Sequence, residues 1–155
     1  IVKVTNTVLE SARKIAHDLL PPTLEKFGLQ AALEELCEEI EETEAYTIHT
    51  IIQYEPGFLQ PSNELHLFRI VQELLNNSIK HAQAKGLSVL LKTEANQLQL
   101  RYSDDGKGVS LQHTKIENGL GMSGIENRAQ ILNGVLQISS KPGEGFQVTL
   151  TITNV

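Results

Sequence analysis

The chain has 155 residues, 40% of them hydrophobic and 21% charged, which is apolar material for one ordinary core and therefore one domain. Thirteen Lys and Arg against nineteen Asp and Glu leave a formal net charge of −6, a field that repels phosphate backbones and anionic lipid, so direct nucleic-acid binding is not expected. The single Cys37 excludes an internal disulfide and a thiolate zinc site, and no window reaches the ~18 apolar residues of a membrane span or reads as a secretory leader.

In chain order, Val4, Val8, Ala12, Ile15 and Leu19 make one stripe along a helix over residues 1–20, a seam that asks for a second copy or for the following domain as its partner. The start at Ile1 leads to the expectation of a segment cut from a longer protein. Pro21-Pro22 stops that helix, and residues 21–27 read as a linker. A second helix is expected over 28–44, with Leu29, Leu33, Leu36, Cys37 and Ile40 on one face and seven glutamates between positions 34 and 44 as its solvated side. Tyr46 to Tyr54 reads as a strand closed by Pro56-Gly57. Ser62 or Asn63 is the expected cap of a long helix running to about His81, with Leu67, Phe68, Val71, Leu74, Leu75 and Ile79 inward.

Strands follow over 87–92 and 98–103, joined by a five-residue loop, 93–97. Residues 106–121 are glycine-rich, loop-like and too long for a passive connection in so small a domain. A helix over 122–132 and strands over 135–139 and 147–152, around the turn Pro142-Gly143-Glu144-Gly145, complete an α+β pattern with helices on one sheet face.

Three stretches can carry chemistry. At about 100° per residue, Glu73, Asn77 and Lys80 share an arc of about 60° on one helix, so a carboxylate, an amide oxygen and an ammonium line one wall. Mg²⁺ takes one or two protein oxygens and completes its shell with water and phosphate, which such a wall can supply; the same triplet also serves as an ordinary solubilising face. Asp104-Asp105-Gly106-Lys107-Gly108 puts a carboxylate at a strand end, able to accept from an amino group, with glycines that let a flat ring approach the backbone; it also reads as a tight Asp-Gly turn. Gly119-Leu120-Gly121-Met122-Ser123-Gly124 matches the letters of a dinucleotide fingerprint but lacks the strand that must precede it, leaving the general anion affinity of backbone N–H groups at a helix start.

In this order, Glu73…Asn77…Lys80, Asp104-x-Gly106-x-Gly108, Gly119-x-Gly121 and Gly143-x-Gly145 resemble the asparagine box and the successive glycine motifs of the ATP-binding catalytic domain of sensor histidine kinases, over residues 28–155. The wider family is shared with DNA gyrase, a heat-shock chaperone and mismatch-repair ATPases. The resemblance implies a two-layer α/β sandwich of Bergerat type, with ATP and Mg²⁺ between helices and a mixed sheet beneath a lid at about 109–121. It implies Glu73 and Asn77 as the catalytic pair, with Asn77 on Mg²⁺ and Glu73 beside it as base or water-orienting group. It implies Asp104 on the adenine amino group, Gly106 and Gly108 beneath the ring, and Lys80 on phosphate. Asn76 and His81 fall beside the nucleotide, and Gly119, Leu120, Gly121 and Met122 on the lid and its amides. The sequence departs from many relatives at Phe146, where a Thr or Ser stands after the last Gly-x-Gly.

His17-Asp18-Leu19-Leu20-Pro21-Pro22 resembles a phosphoacceptor motif, but an acceptor helix must turn back into a second one, and only the 28–44 helix fits before the first strand. The Leu19-Leu20-Pro21-Pro22-x-Leu24 and Gly28-Leu29-x-x-Ala32-Leu33 pattern instead resembles the end of the second dimerisation helix in the subclass that pairs with helix-turn-helix response regulators. This implies an acceptor histidine outside the chain, on the dimerisation domain of the same protein, a homodimer in the full-length protein, and a cytoplasmic domain of a parent that is soluble or membrane-anchored. Two alternatives stay open: a catalytically silent nucleotide-binding regulator, and a serine kinase of the same superfamily.

Overall fold

The computed structural model describes residues 20–110 and 122–154. The 1–19 stripe with His17, and His113, Gly119, Leu120 and Gly121 of the expected lid, lie outside the described residues.

The stretch read as a linker contains a helix, α1 (Pro22–Phe27). Pro22 sits at its first position, where the missing N–H has no intrahelical partner to lose and the fixed φ is already helical. Gly28, at φ 90°, both ends α1, by donating to the Leu24 carbonyl at 3.1 Å, and starts α2 (Leu29–Glu41), whose Ala32 N–H reaches the Gly28 carbonyl at 3.1 Å. On α2 the buried residues Leu29, Ala32, Leu33 and Cys37 follow the helical period, and Glu35, Glu38, Glu39 and Glu41 point to solvent as expected.

Strand β1 (Thr47–Gln53) leads to α3 (Pro61–Asn77), which begins on Pro61 rather than on a Ser62 or Asn63 cap. Gln60 is the N-cap residue, and its backbone carbonyl takes the N–H groups of Asn63 and Glu64, both at 2.9 Å. The helix passes into a single π-helical turn, Ser78–Ala82, and Gln83 ends it in the left-handed region at φ 53°.

Strands β2 (Gly86–Glu94) and β3 (Gln97–Asp104) pair to the tip of their hairpin, so the expected five-residue loop is a two-residue turn, Ala95-Asn96. Thr93 and Glu94 look loop-like because they are polar, but they stay in register with Leu98 and Gln97 and cap the ladder. After α4 (Met122–Ile131) come β4 (Val135–Ser140) and β5 (Phe146–Thr153).

The sheet order is β1-β2-β3-β5-β4, with β1 parallel to β2 and every other pair antiparallel. A parallel neighbour demands a crossover, and α3 supplies it. Leu87, Val89 and Leu91 of β2, Leu98, Leu100 and Tyr102 of β3, and Val148, Leu150 and Ile152 of β5 alternate inward and join Leu67, Ile70, Val71, Leu74 and Leu75 of α3 in one core. The alternate residues, among them Lys92, Gln97, Arg101 and Gln147, are exposed, the pattern of a sheet covered on one face. The α+β class and the mixed sheet follow the sequence reading.

Candidate functional site

Where α3 unwinds and β3 ends, a cleft opens, lined by Asn77, Ser78, His81, Ala82, Asp104, Gly108, Val109, Met122 and Phe146. The π turn shapes its wall. With i to i+5 spacing the turn is wider than an α turn, so Ser78, His81 and Ala82 all reach the cleft, whereas Ile79 and Lys80 are exposed and outside its lining. The single wall of Glu73, Asn77 and Lys80 expected from an uninterrupted α-helix is therefore not what lines the cleft. Asn77 is there, half-buried; Glu73 stands one turn earlier, half-buried, and Asn76 is exposed, neither among the lining residues.

Asp104 closes β3 and is 9% exposed. Its Oδ1 accepts the Gly106 N–H at 2.9 Å, an Asx-type turn, and its Oδ2 accepts the Ser78 hydroxyl at 2.6 Å. Ser78 also pairs with the Tyr102 hydroxyl, two residues before Asp104 on the same face of β3. Burial pushes the Tyr102 phenol far above its ordinary value, with the nearby Asp104 adding to the rise, so it remains a protonated donor. Asp104 thus forms the turn and also lines the cleft: one oxygen shapes the turn, and the carboxylate retains accepting capacity on the cleft wall.

The glycines around it have packing reasons. A Cβ on Gly106 would collide with the Ala82 carbonyl oxygen and lie 2.6 Å from the Ala82 Cβ, because the Lys107 N–H bonds that same carbonyl at 2.7 Å. Gly106 thus lies behind the cleft wall and outside its lining, while Gly108, at φ 66°, lines the cleft and backs onto the Lys141 carbonyl. Gly145 packs its backbone on the Asp104 carbonyl, and the Gly143 N–H donates to the Lys107 carbonyl at 2.5 Å. The first and last glycine motifs are one packed unit, tied further by Ser140, whose hydroxyl receives the Val109 N–H at 2.9 Å and donates to the Gly145 carbonyl at 2.6 Å.

Asp105, not among the sequence candidates, holds the floor from outside: its Oδ1 accepts the Lys85 and Gly86 N–H groups at 2.9 and 3.0 Å. These two bonds keep its carboxyl below the usual carboxylate range. Phe146, noted as a departure, faces Asp104 across the β3–β5 register and gives the cleft an apolar side where a hydroxyl was missing. Ser78, Ala82 and Val109 were missed as well. For Ser78 the signal was adjacency to Asn77, hidden because an ideal α-helix rotates it about 100° away.

Met122 begins α4 and reaches the cleft. Among the described residues no cluster of three or more His, Cys, Asp or Glu could hold a metal ion by itself, and no helix is long and apolar enough to cross a membrane.

Residues 62–154 match the family described as Histidine kinase-, DNA gyrase B-, and HSP90-like ATPase. The chain is 33% identical over 146 residues to the sensor histidine kinase ComP of Bacillus subtilis (strain 168), covering 94% of this chain and 19% of that protein. It is 34% identical over 140 residues to the sensor histidine kinase LiaS of the same strain, covering 90% of this chain and 38% of that protein. It therefore spans well under half the length of these curated relatives. The histidine kinase domain of the Erythrobacter litoralis EL346 blue-light activated histidine kinase has the same fold, with a TM-score of 0.66 at 21% identity over 81% of this chain and 60% of that one.

Proposed function

The chain belongs to the histidine kinase-, DNA gyrase B- and HSP90-like ATPase family, as the ATP-binding catalytic domain of a sensor histidine kinase, and we propose that it holds Mg²⁺-ATP in the Asp104 cleft for transfer of the γ-phosphate to a histidine on the dimerisation domain of its parent protein. The observation that carries this is convergence: the ends of α3 and β3 and the starts of α4 and β5 bring Asn77, Asp104, Met122 and Phe146 around one cleft.

Asp104 is held as an acceptor, which suits the amino group of adenine and disfavours a keto oxygen in the same place. Gly108 and Phe146 flank it with a bare backbone and an aromatic ring. The oxygens of Asn77 and, one turn earlier, Glu73 are the kind and number of protein donors that Mg²⁺ takes when phosphates and water complete its shell, so these residues fit the ion. When bound there, the ion would neutralise phosphate charge. Glu73 would also act as base or water-orienting group, Lys80 would add positive charge and His81 a hydrogen-bonding group near the phosphates, and Asn76 would border them. Gly119, Leu120 and Gly121 would form the lid and contribute N–H groups.

The 21–27 stretch bears on the acceptor. Two helices, not one, lie between Pro22 and β1, but α1 has six residues and so is about 9 Å long, too short to form an antiparallel partner for an acceptor helix. This supports reading the acceptor as a histidine of the dimerisation domain rather than His17. The parent is read as a homodimer whose kinase domain lies in the cytoplasm and whose phosphate passes to an aspartate of a helix-turn-helix response regulator.

Calorimetry with ATP, with and without Mg²⁺, tests the site: binding that tightens with Mg²⁺ is expected. Incubation with γ-labelled ATP and an isolated acceptor domain tests the transfer. Acid-labile label on the acceptor is the expected product; acid-stable label would point to a serine kinase, and tight ATP binding without transfer to a nucleotide-responsive regulator.

A further inference from the structure

Behind the carboxylate that faces the cleft lies a hydroxyl chain with no counterpart among the sequence candidates. Ser78 and Tyr102 are each 2% exposed, and among the described residues no buried side-chain nitrogen or oxygen lacks a partner. The protons of this chain can be counted. The Ser78 hydroxyl donates to Oδ2 at 2.6 Å, so its one proton lies in that contact. Tyr102 must then donate to Ser78 Oγ, which uses the only proton the phenol has. The direction is fixed from core to cleft: Tyr102 to Ser78 to Asp104. With the Gly106 N–H on Oδ1, each carboxylate oxygen has one donor from the chain, and the plane of the group is set before any ligand arrives.

We infer that Ser78, backed by Tyr102, is a positioning residue for nucleobase selection: it fixes Asp104 as an acceptor aimed at the amino group of a purine. This rests on the proposed adenine contact of Asp104. Ser78 touches Asp104 from the helix side at the first residue of the π turn, so the local unwinding that shapes the cleft wall also delivers the hydroxyl. Without it, Oδ2 loses the Ser78 donor, and the carboxylate can turn about its side-chain bonds, retaining among the described residues the Gly106 contact.

The test compares two nucleotides on the same chain. ADP carries the 6-amino group; purine riboside diphosphate is the same molecule without it. Isothermal calorimetry of wild type, Ser78→Ala and Tyr102→Phe is expected to show ADP affinity falling about tenfold for Ser78→Ala and about threefold for Tyr102→Phe, as expected for losing a hydrogen bond to a charged group and then its second link. Affinity for the analogue should stay within about twofold in both variants, since the lost orientation matters only to the amino group. Equal losses for both nucleotides, or no loss for ADP in either variant, would overturn the inference while leaving the nucleotide site standing. Wild-type chain that binds neither nucleotide would overturn the site itself and this inference with it. Tyr102→Phe keeps the ring in the core, so the comparison survives if Ser78→Ala does not fold.

Discussion

At Asp104, two oxygens meet two donors from the chain and leave accepting capacity toward the cleft, so its removal should act on the ligand more than on the fold. Asp104→Asn replaces one acceptor oxygen by a donor, and calorimetry should show adenine-nucleotide binding weakened by about 1–3 kcal/mol. Asn77→Ala should instead reduce the increment that Mg²⁺ adds to ATP affinity, leaving metal-free binding nearly unchanged. Gly106 belongs to the fold: its added Cβ meets backbone, not a flexible side-chain end, and urea unfolding of Gly106→Ala should show a loss of about 1–3 kcal/mol. Asp105 gives a pH signature. Its pKa is lowered from 3.8 by the Gly86 and Lys85 N–H groups, so its contribution is present above the unfolded value and is lost as pH falls through the folded one. Asp105→Asn, which keeps an oxygen but no charge, should be less stable than wild type near neutral pH, and the difference should shrink in melts recorded below about pH 4. Asp104, Asn77 and Gly108 were legible as residue types with a chemical use. Ser78 and Asp105 were not, because their roles depend on partners 26 and about 20 positions away in the chain.

Elements were read well where their signal is periodic and less well where it is punctuation. Leu29, Leu33 and Cys37 sit on the buried face that the spacing implied. Leu33 is fully buried, and Leu33→Ala should cost about 2–5 kcal/mol in denaturant titrations, the transfer of the side chain plus the cavity it leaves. Prolines misled in both places. Pro21-Pro22 signalled a stop, yet Pro22 also starts α1, and Pro61 took the first helical position from Ser62 and Asn63, since a ring with fixed φ suits either side of a helix boundary. The π turn gave no signal: Ser78, Ile79, Lys80, His81 and Ala82 are compatible with an ordinary α-helix, and it is the close packing of Ala82 against Gly106 and Lys107 that accompanies the wider turn.

For the molecule as a whole, a ligand that binds only the folded chain must raise its stability. ADP at about 100 times its dissociation constant should add about 2.7 kcal/mol, visible as a concentration-dependent rise in melting temperature that Asp104→Asn needs more ADP to match. The order of helices and strands, the one-sided sheet and the candidate motifs were present in the sequence because periodicity, turn chemistry and side-chain type are local properties of a few neighbouring residues. The strand order β1-β2-β3-β5-β4, the placement of Phe146 opposite Asp104 and the exclusion of Lys80 from the cleft wall were decided only by the tertiary structure. These depend on which distant segments bury their apolar faces together and on how a helix end deforms to meet a packed glycine loop, and no pattern along the chain records the energy of that fit.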